Sequence, residues 1–261
     1  MTTASAPVHS SQIVSGGPPP EPGTLTELFF DAVKKYDKPD AMLVKRAGRY
    51  EPISSAEILR RVQHAALGLA SMGVKKGDRV GILSENRPEW AIADYAALTN
   101  GVTDVPIYPT LPPDQVAYIF NDAGVIAVFV STAAQAAKIA EIRSQVPSLL
   151  HVISFDEVGA AADITLAKLE QRGAAIETPQ SVEQYRANAL SVKPDDLATL
   201  IYTSGTTGNP KGVMLTHNNI RSNVEVTRCK MPFEASDVAL SFLPLSHIFQ
   251  RMGDYLMWAT G

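Results

Sequence analysis

Apolar residues recur along this chain at two spacings, and the change from one to the other near residue 77 divides it. Before that point the spacing is helical. Leu25, Leu28, Phe29, Ala32, Val33 and Tyr36 share one face of a helix opened by the capping-box pattern Thr24-Leu25-Thr26-Glu27. Ala41–Lys45 and Tyr50–Ile53, joined by the turn Arg46-Ala47-Gly48-Arg49, predict a hairpin. Ser54-Ser55-Ala56-Glu57 is a second capping box, opening a helix whose stripe is Ile58, Leu59, Val62, Ala66 and Leu69, with Gly73 as its stop.

From Gly77 short apolar strands alternate with helices. The strands are Val80–Leu83, Asp104–Tyr108, Val125–Val130 and His151–Phe155. The helices between them run from Pro88 to about Asn100, from Asp114 to Asp122, and from Ala133 to Val146 before Pro147. Such a succession predicts an α/β fold, a partial doubly wound and mostly parallel sheet with helices on both faces. Ile164–Arg172 reads as a helix and Thr178-Pro179-Gln180 as a loop, and Lys193-Pro194-Asp195-Asp196 turns the chain into a strand over Leu197–Tyr202. Val213–Leu215 reads as a further strand, Thr216 as the N-cap of a helix from His217 to about Thr227, and Val238–Phe242 as a last strand. Residues 1–23, rich in Ser, Thr, Pro and Gly, read as a disordered tail, and 24–261 as the folded part. No internal repeat is visible.

The candidate chemistry lies at Tyr202–Gly212, which reads Tyr-Thr-Ser-Gly-Thr-Thr-Gly-Asn-Pro-Lys-Gly. Gly205 and Gly208 allow positive φ, which turns backbone N–H groups inward to form an anion-binding nest. Thr203, Ser204, Thr206 and Thr207 can donate to phosphate oxygens without adding charge, and Lys211 adds a point cation. A Walker P-loop is excluded. Pro210 and Gly212 flank the lysine where that motif has Gly and Ser or Thr, and a strand follows where that motif has a helix.

Tyr202–Gly212, with the Val-Met-Leu-Thr-His that follows, resembles the signature of the adenylate-forming (AMP-binding) enzymes, which include acyl-CoA synthetases, luciferases and peptide-synthetase adenylation domains. Leu243-Pro244-Leu245-Ser246-His247-Ile248-Phe249, followed by Arg251, and Glu85-Asn86-Arg87-Pro88-Glu89-Trp90 are most similar to the long-chain fatty-acyl-CoA synthetases. At one place the chain departs from that subgroup: Gln250-Arg251 stands where Glu-Arg is usual. The resemblance implies Mg-ATP and coenzyme A as co-substrates and a fatty acid as substrate. It further implies a carboxylate attacking the α-phosphorus, with pyrophosphate leaving and an acyl-adenylate passing to the CoA thiol. On that reading Thr203, Ser204, Gly205, Thr206, Thr207, Gly208 and Lys211 hold the nucleotide, while Thr206, Lys211 and His247 act at the reacting groups, His247 beside the carboxylate and the α-phosphate. The resemblance also implies that these residues match about the first half of the large N-terminal domain. The magnesium glutamate, the ribose aspartate and a C-terminal domain would lie beyond them, so activity of this chain alone is not expected. The alternatives are an aryl- or amino-acid-activating relative and a non-enzymatic nucleotide-binding fragment. Trp90, Tyr95, Tyr255 and Trp258 could line an acyl tunnel, although aromatics at helical spacing more often pack in a core.

Composition narrows the partners. With 261 residues, 45% hydrophobic composition and mean hydropathy near zero, the chain can bury a sizeable core. A net charge of −4 and a pI of about 5.7 give no basic field for nucleic acid. The single cysteine, Cys229, rules out an internal disulfide and reads as an incidental thiol. Without a secretory pattern or a long apolar span the expected location is the cytoplasm, with peripheral membrane contact left open. Unpartnered apolar faces would favour self-association.

Overall fold

The computed structural model describes residues 20–203 and 209–261. Among them the elements run, in chain order, α1 (Leu25–Tyr36), β1 (Met42–Arg46), β2 (Arg49–Ile53), α2 (Ser55–Ser71), β3 (Arg79–Leu83), α3 (Pro88–Thr99), β4 (Thr103–Ile107), α4 (Pro113–Ala123) and β5 (Val125–Val130). There follow α5 (Ala133–Ile142), β6 (His151–Ser154), β7 (Ile164–Thr165), α6 (Leu166–Ala175), α7 (Pro179–Leu190), β8 (Leu197–Thr203), β9 (Lys211–Thr216), α8 (His217–Lys230) and α9 (Ile248–Thr260). Seven strands form one sheet in the order β7-β6-β5-β3-β4-β8-β9, parallel throughout except for the antiparallel β8–β9 pair at one edge. β1 and β2 make a separate hairpin.

The sheet is buried on two faces, which explains why β5 reads as an unbroken apolar run. Ala127 and Phe129 point into one core with Phe29, Ile58, Val62, Leu69 and Trp90. Val128 and Val130 point into the other with Val116, Phe120 and Ile139. The connection after β3 therefore lies towards one face, and those after β4 and β5 towards the other. Brought together beside β3 at the carboxyl ends of the strands, these connections flank the crevice where open α/β sheets place ligands.

The capping box on α1 is present in both halves, whereas at α2 Ser54 accepts from Glu57 N–H and the reciprocal bond is not formed. Helix α3 begins at Pro88, and Gly101, at φ 65°, follows its end. Three expectations need correction. Thr178-Pro179-Gln180 is not a loop. Thr178 and Ser181 form a capping box and Pro179 occupies the first turn of α7, where its missing N–H costs nothing. Ile164 and Thr165 pair with Ile153 and Ser154 as β7 before the helix starts, so Thr165 ends a strand and caps α6 at once. Val238–Phe242 is not a strand; Val238, Leu240 and Phe242 are 76%, 70% and 72% exposed. Alternation makes a strand only where a neighbouring edge takes up its N–H and C=O groups, and no described strand pairs with this segment.

Helices α2 and α6 cross at two glycines. A Cβ on Gly173 would lie 1.9 Å from the His64 carbonyl oxygen, and one on Gly68 would lie 2.5 Å from that of Leu169. Gly173→Ala therefore has to push two backbones apart. The expected result is a loss of about 1–3 kcal/mol in urea denaturation, without change in helix content by circular dichroism. Equal midpoints for the variant and the parent would refute the close crossing.

Of the four aromatics considered for a tunnel, Trp90, Tyr95 and Tyr255 are buried in the core and Trp258 is half-buried against it. Tyr95 stacks on Phe29 at 4.2 Å between ring centroids and meets Tyr255 and Trp258 edge-on, and Trp90 is 1% exposed. Cys229 is exposed and free. No helix among the described residues is long and apolar enough to cross a membrane.

Candidate active site

Strand β8 runs parallel to β4, with Asp104 opposite Thr199, so its last residue, Thr203, lies at the carboxyl end of the sheet. There the chain turns back, and β9 pairs with β8 in a register that sets Lys211 opposite Thr203 and Gly212 opposite Tyr202. Both Thr203 and Lys211 are exposed, one on each side of the mouth of the glycine- and threonine-rich turn. Ser204, Gly205, Thr206, Thr207 and Gly208, the centre of the candidate site, lie outside the described residues.

The base of this hairpin is anchored by Tyr202. Its hydroxyl donates to Asp122 Oδ2 at 2.5 Å, at the end of α4, and burial together with that carboxylate raises the phenol above its usual range. Gly212 makes room for the ring, since a Cβ there would lie 3.0 Å from Tyr202 Cζ. The first residue of the motif thus fixes the hairpin to the helix layer.

Beyond β9, Thr216 caps α8 in a capping box with Asn219. The buried His217 accepts from Leu25 N–H through Nδ1 at 3.3 Å, and burial lowers its pKa to about 4, so the ring is neutral at pH 7. His247 stands at the start of α9 and is exposed. Its Nδ1 accepts from Phe249 N–H at 3.2 Å, capping the helix, and its backbone N–H donates to Pro244 O at 2.9 Å. Hydrogen bonds from Asn86, in the connection after β3, to the segment leading into His247 bring that segment to the carboxyl end of the sheet. Thr203 and Lys211 are therefore brought together, and His247 shares their end of the sheet. No hydrogen bond among the described residues joins His247 to either.

What the sequence reading missed is a buried ionic cluster that ties the two motif-bearing segments together. Arg251, one turn into α9 and 1% exposed, donates to Asp94 on α3 at 2.5 Å and to both oxygens of Asp104 on β4 at 2.8 and 2.5 Å. Tyr255 donates to Asp94 Oδ2 at 2.6 Å and receives a bond from Arg251 Nε at 2.8 Å. Thr199, on β8, donates to Asp104 Oδ1 at 2.8 Å. Burial and the neighbouring Asp104 raise Asp94 well above the ordinary carboxylate range against the pull of Arg251, while the two aspartates hold the guanidinium charged. The signal was present in the sequence. Asp94 interrupts the apolar run from Trp90 to Leu98 of α3, and Asp104 stands in a strand buried at every position.

A parallel sheet closed by a threonine–lysine hairpin mouth is a fold-level arrangement, and the family comes from comparison. Residues 29–261 match the family model described as AMP-binding enzyme. The chain belongs to the AMP-binding enzyme family. Within it, the chain is 37% identical over 219 residues to the long-chain-fatty-acid–CoA ligase FadD15 of Mycobacterium bovis, covering 82% of this chain and 35% of that protein. It is 35% identical over 257 residues to the peroxisomal long chain acyl-CoA synthetase 7 of Arabidopsis thaliana, covering 93% and 36%. The chain thus spans about a third of the length of these curated relatives. Among solved structures, a long-chain-fatty-acid-CoA ligase (FadD1) of Archaeoglobus fulgidus superposes with TM-score 0.76 at 23% identity, covering 93% of this chain and 46% of that one. The anthranilate CoA ligase AuaEII in complex with anthranoyl-AMP gives TM-score 0.77 at 20% identity, with 93% and 44% covered. At these identities the structures establish the fold.

Among the described residues no three His, Cys, Asp or Glu side chains converge to hold a metal ion.

Proposed function

We propose that this chain grips ATP for a long-chain fatty-acid–CoA ligase reaction, in which a fatty-acid carboxylate is activated as an acyl-adenylate and then transferred to coenzyme A. The observation that carries the reading is the β8–β9 register. It sets Thr203 and Lys211 across the mouth of a glycine- and threonine-rich turn at the carboxyl end of a parallel sheet. In that place hydroxyl, backbone N–H and ammonium groups stabilise the charge that develops on departing pyrophosphate more than they stabilise bound ATP, which lowers the barrier. The exposed His247, with Nδ1 occupied by Phe249 N–H, is left with Nε2 to offer a carboxylate or an α-phosphate. The two curated relatives are a fatty-acid–CoA ligase and an acyl-CoA synthetase, which favours a fatty acid over other acids.

Full turnover, on this reading, needs sequence that the relatives have and these 261 residues do not supply. Isothermal titration should therefore detect ATP binding to this chain, while palmitate-dependent pyrophosphate exchange should be absent. Exchange at a rate above background would overturn the second statement, and absence of ATP binding would overturn the first. An aryl or amino-acid substrate remains the competing reading, and a panel of acids tested on a longer homologue separates the two. Exposed Val238, Leu240, Phe242 and Phe249 favour self-association or peripheral membrane contact, which sedimentation and vesicle pull-down would detect.

A further inference from the structure

Gln250 is where the chain departs from the Glu-Arg pair of the subgroup it resembles, and its surroundings supply a chemical reason. The segment 241–245, which leads into His247, has no regular secondary structure, yet its backbone is held from two sides. From the connection after β3, Asn86 Nδ2 donates to the carbonyls of Ser241 at 3.1 Å and Leu243 at 2.6 Å, and Asn86 Oδ1 accepts from Leu245 N–H at 2.9 Å. From α9, Gln250 Oε1 accepts from Leu243 N–H at 3.3 Å. Gln250 Nε2 donates to Asp254 Oδ1 at 2.8 Å, and the other oxygen of Asp254 accepts from the Ser241 hydroxyl at 3.3 Å. Each amide is used with one polarity. A glutamate in place of Gln250 could still accept from Leu243, but it has no hydrogen for Asp254.

We propose that Asn86, Gln250 and Asp254 form a bracket that sets the path of residues 241–245 and so positions His247, and that Asp254 is what makes glutamine the residue needed at that first position of the Gln-Arg pair. These are positioning residues, and the significance of the position rests on the proposed role of His247. The charged and titratable groups around the bracket are Asp94 and Tyr95 from α3 and Arg251 and Tyr255 from α9. Arg251 is engaged by Asp94 and by Asp104 of β4, so it is not the partner of Asp254. Burial raises the Asp254 carboxyl above its ordinary range, against the hydrogen bonds from Gln250 and Ser241.

Gln250→Glu sets two carboxyl groups at hydrogen-bonding distance, and they can keep the link only by sharing a proton. The shared proton raises the folded-state pKa, so the bracket holds at low pH and is lost as pH rises through that value. NMR of this chain reads the effect without requiring activity. In Gln250→Glu, exchange of the Leu243 amide, relative to the parent, should accelerate about tenfold between about pH 5 and about pH 8. The His247 ring resonances, assigned with His247→Gln, should move away from their parental positions over the same interval. Adding Asp254→Asn to Gln250→Glu supplies an N–H to the introduced carboxylate, and both signals should return to parental values and lose their pH dependence. If Gln250→Glu does not fold at neutral pH, recovery of folding by Asp254→Asn reads the same link. Parental exchange and parental His247 signals in Gln250→Glu at both pH values would overturn the proposal, as would a double variant that restores neither. An ATP affinity unchanged in His247→Gln would instead sink the site reading and leave the bracket standing.

Discussion

Arg251→Met should cost about 3–5 kcal/mol of folding stability at neutral pH, because it leaves two buried carboxyl groups without the cation they surround. Asp94 and Asp104 are 1% and 0% exposed, and the guanidinium supplies three of the hydrogen bonds they receive. Thr199 and Tyr255 each donate one more and carry no charge. The pH dependence has a definite sign. Loss of the cation raises the folded-state pKa of Asp94 further above its parental value of about 8, so the gap between variant and parent grows as pH rises through and beyond that value. Urea denaturation at about pH 7 and about pH 9 should show the gap between variant and parent widening with pH. Adding Asp94→Asn and Asp104→Asn to Arg251→Met should recover most of the loss, since removing a whole buried ionic group is far less costly than removing one partner. A gap that narrows with rising pH would mean the cluster is not held by the arginine charge.

The second large effect is expected at Lys211. Lys211→Ala should weaken ATP binding by roughly tenfold to a hundredfold, equivalent to about 1.5–3 kcal/mol for a hydrogen bond to a charged group. Lys211→Arg keeps the charge but replaces a compact ammonium on a flexible stem by a planar fork, and an intermediate loss is expected. Because the side chain is exposed at the hairpin mouth, the parental affinity should also fall with added salt, and more steeply than that of Lys211→Ala. Isothermal titration across a salt series measures both quantities. Equal affinities of parent and Lys211→Ala would remove the basis for the proposed nucleotide site.

Elements whose hydrophobic face meets a single core were legible in the sequence, because their spacing records one direction of burial. Helix α1 with its capping box and the strands from β3 to β6 are of this kind or are too apolar to be anything but buried, while the mostly exposed β1–β2 hairpin was legible from its turn at Arg46–Arg49. Helix α7 was not legible. Tyr185 and Ala189 are its buried side chains, so it carries little of an apolar stripe, and Pro179 reads as a loop residue unless its place in the first turn is known. The stretch Val238–Phe242 failed for the opposite reason, since its strand pattern is strong but pairing is a property of a neighbour that local sequence does not contain. At the candidate site, glycine, hydroxyl and lysine spacing identified the Thr203–Lys211 mouth, whereas the Asp94–Asp104–Arg251 cluster joins residues up to 157 positions apart. Its members show themselves in sequence as isolated charges in apolar runs, without indicating which of them meet.

The bond from Leu25 N–H to His217 has a bearing on how the chain emerges during synthesis. The first helix finds this partner 192 positions downstream, in the segment immediately following the β8–β9 hairpin, and Gly23 reaches Asn218 in the same region. At ordinary ribosomal speeds that interval corresponds to roughly 10–40 s. For that time the amphipathic opening helix would be without its final neighbours, a natural client for a chaperone bound near the exit tunnel.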